Sequence, residues 1–165
     1  MFYKYCFISF SFCFLSLVSA AQVMDVDDKK PGTLNGIEYG YIIKNEQIKS
    51  ASNEEFSRFE ITLYATNKSG CTKLYADRIS TDGKPNVIAT FYCNNANGKR
   101  LTAKGGDVSA KEFDVPVKVN DKTTNIKAGY IFRNGETVRN NIIVLVPKGD
   151  KPVIQCTVNY LPELQ

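Results

Sequence analysis

The sequence contains no histidine and no tryptophan. Without histidine, serine- and cysteine-based catalysis loses its usual general base, and the common zinc, copper and iron sites lose their most frequent ligand. Carboxylate pairs such as Glu54 and Glu55 could serve glycosidase-type chemistry, but no feature distinguishes them from ordinary surface charges. The sequence therefore predicts a protein that is not an enzyme, with no catalytic residue, no cofactor and no metal site.

Long apolar runs are also scarce. The longest, in residues 7–18, follows Lys4 and is followed by the small residues of VSAAQ, which is the three-part layout of a secretory signal peptide. Its serines and its short length distinguish it from a membrane-spanning helix, which needs about 20 predominantly apolar residues. We expect residues 1–20 to be a removed signal peptide and the protein to be secreted or periplasmic, with no membrane span after signal removal.

The remaining chain of about 145 residues is long enough for one domain with one core. The formal net charge of the full sequence is +4, removal of Lys4 with the signal peptide leaves a surplus of three cations, and these are spread along the chain rather than grouped. A nucleic-acid interface needs cations clustered on one face, so no nucleic-acid partner is expected.

A sustained helical repeat of apolar residues is missing as well, whereas turn signals are frequent. Four pairs of Asn or Asp with Gly occur at Asn35-Gly36, Asp82-Gly83, Asn97-Gly98 and Asn134-Gly135. Such pairs tolerate the positive φ angles that tight hairpins require. The chain is therefore divided into short segments by turns.

Between these turns, apolar residues alternate with polar ones, as in strands that bury one face. The alternating rows are Ile37/Tyr39/Tyr41/Ile43, Phe59/Ile61/Leu63/Ala65, Val87/Ala89/Phe91/Cys93, Phe113/Val115/Val117/Val119, Ile126/Ala128/Tyr130/Phe132 and Ile154/Cys156/Val158/Tyr160. This pattern predicts an all-β fold, a single sandwich of about seven to nine antiparallel strands. We expect a flexible N-terminal segment in residues 21–35 and the sandwich domain in residues 36–165.

Three segments carry further predictions. Residues 45–56 are mostly polar and fit either one short helix or a loop. Pro116 lies inside a strand pattern and lacks an N–H group, so its strand is expected at a sheet edge. Residues 140–147, NNIIVLVP, are apolar on both faces. This strand is either central and covered on both sides, which we favour, or exposes Ile143 and Leu145 to a partner.

The glycine- and lysine-rich stretch NGKRLTAKGGD, residues 97–107, raises the question of phosphate binding. A P-loop needs a glycine five residues before its Gly-Lys pair, where this chain has Cys93, and a helix afterwards, where no helical pattern occurs. We interpret the stretch as a hairpin turn, a short strand over residues 99–103, and a flexible connection with solvated charges.

Cysteine is sparse after the signal peptide: only Cys71, Cys93 and Cys156 remain, so at most one internal disulfide can form. A three-residue hairpin loop at Thr81-Asp82-Gly83 would place Cys71 opposite Cys93, which predicts a disulfide between them, with Cys156 as a buried free thiol. The competing pairing joins Cys93 to Cys156 and would link two sheets.

Two tyrosines and one asparagine complete the candidates. Tyr64 and Tyr92 point away from the predicted core and are the best surface aromatics for a ligand platform, although cross-strand packing is the favoured interpretation. Asn67 begins the N-glycosylation sequon Asn-Lys-Ser, which matters only in a eukaryotic source.

Two segments carry a resemblance to a known class of domains: FEITLYATNKSGCTKLYADRISTDGK, residues 59–84, and IKAGYIFRNG, residues 126–135. They resemble strands of small bacterial extracytoplasmic immunoglobulin-like domains, in which an alternating strand ends in an Asn-x-Ser turn. The resemblance implies an immunoglobulin-like sandwich with a binding or structural role, and it supplies no catalytic residue.

These observations together predict an exported, non-catalytic domain that binds another extracytoplasmic protein through loops or a sheet edge. A narrower version is an inhibitor or immunity protein that blocks a secreted enzyme or toxin. A carbohydrate-binding module, which would use Tyr64 or Tyr92, is the alternative of another class.

Overall fold

The computed structural model of the chain describes residues 21–27, 29–51, 54–77, 84–95, 97–101 and 106–164. Among these residues there is no helix. The described strands are β1 (Gln22–Val26), β2 (Gly32–Leu34), β3 (Ile37–Ala51), β4 (Glu54–Asn67), β5 (Lys73–Ala76), β6 (Val87–Asn94), β7 (Gly106–Ser109), β8 (Lys111–Val119), β9 (Lys122–Phe132), β10 (Thr137–Pro147) and β11 (Val153–Val158). The all-β prediction is confirmed, with eleven strands rather than the expected seven to nine.

The strands form three antiparallel sheets. The first sheet has the order β1-β11-β6-β7, the second β10-β4-β3-β2, and the third β5-β9-β8. Each pairing of strands is antiparallel. Because the chain passes directly from β7 to β8, and through a short turn from β9 to β10, the third sheet is joined to both of the others.

Most of the core lies between the first and second sheets, and the third sheet adds Tyr75, Tyr130 and Phe132. β7 contacts β10 and β4, and β1 contacts β2 and β3, so the two sheets face each other. The row predicted for β4 is buried throughout, with Phe59, Ile61, Leu63 and Ala65 at most 1% exposed. Full burial of a large aliphatic or aromatic side chain contributes roughly 1.5–3 kcal/mol, so the alternating rows supply most of the driving force for sheet packing.

Hairpin turns follow the predicted chemistry at Asn35-Gly36, which connects β2 and β3 with φ angles of 51° and 74°. The β8–β9 hairpin uses the same backbone geometry without glycine, because Asn120 and Asp121 have φ angles of 49° and 62°. Asn and Asp tolerate this left-handed conformation better than other side chains. The predicted turn at Asp82-Gly83 falls outside the described residues.

The turn at Asn97-Gly98 is confirmed, with a φ of 76° at Gly98. The Asn95 side-chain oxygen accepts hydrogen bonds from the backbone N–H groups of Asn97 and Lys99, at 3.0 and 2.8 Å. In the described residues 99–101, which follow this turn, Arg100 forms an isolated β-bridge with Asn94, and there is no strand. Residues 102–105 of the predicted strand and connection lie outside the described residues.

Two segments differ from the sequence-based expectation. Residues 21–35, expected to be flexible, contain β1 and β2, because Val26 packs into the core at 6% exposure and β1 pairs with β11. The polar segment 45–56, expected to be a helix or a loop, continues β3 and β4 instead, with residues 52–53 outside the described part. A bulge between Ile43 and Asn45 lets this pairing continue beyond the core. The predicted signal peptide, residues 1–20, also lies outside the described residues.

The edge position predicted for Pro116 is confirmed, because β8 is the outer strand of the third sheet. On the other side of that sheet, the C-terminal segment lies along β5, where the Leu164 N–H donates to the Leu74 carbonyl at 2.8 Å. No described residue belongs to a helix long and apolar enough to cross a membrane.

Candidate functional site

The structure contains no disulfide among the described cysteines: Cys71, Cys93 and Cys156 are all free. The predicted hairpin register that placed Cys71 opposite Cys93 is wrong. β5, which follows Cys71, pairs with β9, whereas β6, which carries Cys93, pairs with β11 and β7. The two cysteines therefore belong to segments of different sheets.

The competing pairing is absent too, although Cys93 and Cys156 lie on the same face of neighbouring strands. Cys93 is opposite Ile154, and Cys156 is opposite Phe91, so the two thiols are diagonal neighbours within one sheet rather than a link between two sheets. Diagonal positions are farther apart than a disulfide allows. Burial raises the pKa of Cys93 to about 11 and that of Cys156 to about 12, so both remain protonated thiols near neutral pH.

Tyr64 packs across the neighbouring strand. Its ring and hydroxyl lie over Gly40 of β3, where an added Cβ atom would approach the Tyr64 hydroxyl to 2.5 Å. The absence of a side chain at Gly40 thus makes room for the ring, a recurrent arrangement in sheets. Burial, followed by the nearby Glu38 carboxylate, raises the pKa of Tyr64 above its usual value. The favoured interpretation of this tyrosine, cross-strand packing, agrees with its position.

Tyr92 lies on a different sheet. It belongs to β6 in the first sheet, opposite Gln155 of β11, and the guanidinium carbon of Arg100 lies 3.6 Å from the centre of its ring. This cation–π contact covers one face of the ring. Tyr64 and Tyr92 therefore do not lie together, and each ring already has a partner.

Asn67, the first residue of the sequon, is completely buried. Its side-chain N–H groups donate to the carbonyls of Cys71 and Phe132, at 2.9 and 2.8 Å. Its side-chain oxygen accepts from the backbone N–H and the hydroxyl of Ser69, at 3.1 and 2.6 Å. A glycan attached to this nitrogen would replace one of its two hydrogens and so remove at least one of the donated hydrogen bonds.

The strand β10 is where the structure departs most from the expected burial. It forms the edge of the second sheet, and β4 is the one described strand with which its backbone pairs. Val144 and Val146 point inward and are fully buried, but Ile143 and Leu145 point outward and are 57% and 54% exposed. The favoured prediction, burial on both faces, is wrong, and the alternative of an exposed outer face is observed.

The charged side chains beside Ile143 and Leu145 on the outer face of the sheet form an ion pair. Glu60 is opposite Ile143, Arg58 is opposite Leu145, and the two charged side chains form an ion pair at 2.6 Å. Ile42 of β3, which is 51% exposed, extends the same face beyond β4. We call the three side chains Ile42, Ile143 and Leu145 the outer apolar patch.

A hollow of about 250 Å³ adjoins the patch. Asn141, Ile143, Glu60 and Lys44 contribute to its wall. Lys44 is at the bulge between Ile43 and Asn45, so the hollow forms where the β3–β4 pairing register shifts. Its wall presents one cation, one carboxylate and one amide.

The edge strands β8 and β10 differ in how strongly their sequences discourage another chain from pairing with them. β8 carries Pro116 and four charged side chains, Lys111, Glu112, Asp114 and Lys118, all features that discourage strand addition. Residues 140–147 of β10 carry no charge and no proline before the last position. The start of the β10 edge is covered, because the Asn140 side chain donates to the Asp107 carbonyl of β7 at 2.8 Å. The less protected part is residues 141–147.

Comparison of the sequence with protein families and with characterised proteins, and of the structure with solved structures, gives no match.

Proposed function

We propose that this chain is an exported, non-catalytic domain of immunoglobulin-like sandwich type that binds another protein through the β10 edge of its second sheet. The observation that carries the proposal is the exposure of Ile143 and Leu145, at 57% and 54%, in the uncharged part of an edge strand, residues 140–147. Such an edge favours association with other chains unless a partner covers it. The export and the sandwich type rest on the signal-like residues 1–20 and on the sequence resemblance.

The mode of binding that fits this edge is strand addition. An extended segment beside residues 141–147 would hydrogen bond with the outward-facing backbone of β10, which has β4 on its other side. Alternate side chains of the added strand would lie next to Ile143 and Leu145 on the outer face. The backbone would supply affinity, and the outer apolar patch and the neighbouring hollow would supply selectivity.

Charge suggests the composition of the partner segment. Arg139 is exposed at the start of β10 and forms no ion pair with any described residue. Between Arg139 and Lys148 the strand is uncharged. We expect a partner segment with an apolar, uncharged centre and an acidic residue at the end that meets Arg139.

The same charges disfavour a second copy of this chain as the partner. Two β10 strands paired antiparallel and centre to centre would bring Arg139 of each copy near Lys148 of the other. Lys148 is ion-paired with Glu55, so each end of the interface would carry two cations with that one carboxylate, and Arg139 would gain no new counter-charge from Lys148. A different extracytoplasmic protein, such as a secreted enzyme or toxin that this domain blocks, fits better.

The carbohydrate-binding alternative has less support, because Tyr64 and Tyr92 are on different sheets and are covered by Gly40 packing and by Arg100. A sugar platform normally presents an open aromatic face.

Site-specific photo-crosslinking in the native host tests the proposal. A photo-reactive amino acid placed at Ile143 or at Leu145 is expected to give a conjugate with one other protein. The matched control is the same amino acid at Ile126, which is 49% exposed on the β8–β9 hairpin and is expected to give none.

Two substitutions then distinguish specific binding at the β10 edge from nonspecific apolar contact. Leu145→Lys should abolish the conjugate formed from position 143, while Ile126→Lys should leave it unchanged. Because both residues are about half exposed, each substitution should change the free energy of unfolding by less than about 0.5 kcal/mol. Hydrogen exchange of the purified complex should show new protection in residues 141–147, as strand addition requires.

Three results would contradict the proposal. Equal conjugates from positions 126 and 143 would mean nonspecific contact. A conjugate of twice the chain mass would identify a second copy as the partner. A specific complex without new amide protection in β10 would place the contact elsewhere.

A further inference from the structure

A separate cleft lies where the three sheets meet, away from the β10 edge. Its volume is about 390 Å³, within the range of small-molecule sites. β3 supplies Ile37 and Tyr39, β5 supplies Lys73 and Tyr75, and the segment after β11 supplies Leu161 and Glu163. Parts of the chain far apart in sequence thus converge on one concave site.

Two largely buried tyrosines line this cleft, and their hydroxyls have no hydrogen-bond partner among the described residues. Tyr39 and Tyr75 are only 1% and 4% exposed, and both line the cleft. Within the described part of the chain, neither hydroxyl makes a hydrogen bond, yet no fully buried side-chain oxygen or nitrogen there lacks a partner. Neither hydroxyl oxygen is therefore fully enclosed, and the cleft is an open space that both side chains line. Two hydroxyls without a protein partner, set in a wall that includes apolar side chains, offer hydrogen bonds that a ligand can take in place of water.

The charges at the cleft cancel. Lys73 Nζ lies 2.5 Å from Glu163 Oε1, and the Lys73 side chain is only 10% exposed. Burial raises the pKa of Tyr39 and of Tyr75 above the usual value, so both hydroxyls stay neutral. A ligand with a net charge would find no unpaired opposite charge here and would lose its hydration.

The remaining wall is apolar and held in place. Leu34, Ile37 and Ile88 line it from three different strands or their ends. The C-terminal segment closes one side and is fixed by backbone hydrogen bonds: Asn159 N–H to the Ile88 carbonyl at 2.9 Å, and Ala76 N–H to the Pro162 carbonyl at 3.1 Å. The site is thus formed before any ligand arrives, which reduces the ordering that binding requires.

We infer that this cleft binds a small, uncharged, partly apolar molecule that carries a hydroxyl or carbonyl group, with Tyr39 and Tyr75 as its hydrogen-bonding partners. Each tyrosine hydroxyl both donates and accepts, so either group of the ligand can be bound. The aliphatic side chains bury the apolar part of the ligand, and the Lys73–Glu163 pair forms a polar, neutral boundary beside it.

The test uses the chain from Ala21 onward and three six-membered-ring probes: cyclohexanol, cyclohexanone and cyclohexanecarboxylate. In two-dimensional ¹H–¹⁵N NMR titrations, the alcohol and the ketone should produce saturable shifts of the Tyr39, Tyr75 and Leu161 amides. The carboxylate should bind at least about tenfold more weakly, because its charge must be desolvated without a counter-charge.

Conservative variants test the two hydroxyls. Tyr39→Phe and Tyr75→Phe should each weaken binding of cyclohexanol about fivefold, the effect of losing one neutral hydrogen bond. Tyr92→Phe, outside the cleft, is the matched control and should bind as the parent does. Leu161→Trp, which fills the cleft, should abolish the shifts while the spectrum stays dispersed.

The inference is overturned if the alcohol and ketone produce no saturable shifts. It is equally overturned if both Tyr→Phe variants bind cyclohexanol as the parent does, or if the carboxylate binds as tightly as the alcohol. Because Tyr→Phe keeps the ring and removes an oxygen without a protein partner, both variants are expected to fold.

Discussion

The side-chain amide of Asn67 donates a 2.8 Å hydrogen bond to the backbone carbonyl of Phe132 and thereby joins the second sheet to the third. Backbone bonds strengthen the same junction, because the Asn67 N–H donates to the Glu136 carbonyl at 2.9 Å and the Gly135 N–H donates to the Asn67 carbonyl at 2.7 Å. One buried residue therefore fixes both the turn after β4 and the turn between β9 and β10.

The first prediction concerns this residue. Asn67→Asp replaces a donor by an acceptor that faces the carbonyls of Cys71 and Phe132. The variant loses two hydrogen bonds, and its carboxylate oxygen is repelled by the two buried carbonyl oxygens. Together these effects should lower the free energy of unfolding by about 2–4 kcal/mol. Chemical denaturation of the variant measures this.

The matched control for Asn67 is Asn45→Asp, since Asn45 is exposed at the β3 bulge. Its effect should stay within about 0.5 kcal/mol. If both variants unfold at the same denaturant concentration, the Asn67 side chain does not hold the sheets together as described.

The second prediction compares two buried tyrosines. The Tyr130 hydroxyl accepts a hydrogen bond from Lys127 Nζ at 2.6 Å and donates one to Asp77 at 3.1 Å, whereas the Tyr39 hydroxyl has no described partner. Tyr130→Phe should therefore lower the free energy of unfolding by about 1–2 kcal/mol. Tyr39→Phe should leave it unchanged or raise it slightly. Thermal unfolding of both variants under one set of conditions tests the difference, and equal losses would contradict it.

The alternation of side chains in the sequence was sufficient to predict the all-β class and most core rows. That signal is local, since a period of two tells which residues share a face but not which strand lies beside them. The pairing of β5 with β9, and of β1 with β11, brings together segments far apart in the chain. The assumption that neighbouring strands pair as hairpins failed at Cys71, and the predicted disulfide failed with it.

The sequence predicted the candidate site at the β10 edge only as one of two alternatives. Residues 140–147 are apolar on both faces, and this pattern is the same for a central strand and for an exposed edge. Only the position of β10 at the end of the second sheet decides between them. The role of Asn67 was hidden for a similar reason, because its partners Cys71 and Phe132 are set by the tertiary fold while its sequence context is a common sequon.

The third prediction concerns thiol reactivity in the chain from Ala21 onward. Cys71 is exposed, whereas Cys93 and Cys156 are at most 1% exposed. A pKa raised from 9.0 to about 11 leaves Cys93 with about 100-fold less thiolate near neutral pH than an ordinary thiol. A thiol reagent at pH 8 should therefore modify one cysteine quickly and the other two only after denaturant is added. Fast reaction of two or three thiols in the native protein would contradict their burial.

The last prediction follows from the same thiols at alkaline pH. Their folded-state pKa values, about 11 for Cys93 and about 12 for Cys156, lie above the ordinary value of 9.0 that applies to the unfolded chain. Above pH 9 the unfolded chain loses protons that the folded chain keeps, so stability is full below pH 9 and falls as pH rises toward 12. Each thiol lowers the free energy of unfolding by at most about 1.4 kcal/mol per pH unit in this window.

Urea denaturation at several pH values between 8 and 12 should show this fall in the parent chain. The double variant Cys93→Ala/Cys156→Ala removes both thiols and should show a shallower one. Some decline should remain, because the buried Tyr39 and Tyr75 also have raised pKa values and act in the same direction. Parallel curves for parent and variant would mean that the two thiols ionise equally in the folded and unfolded chains, in conflict with their burial between the sheets.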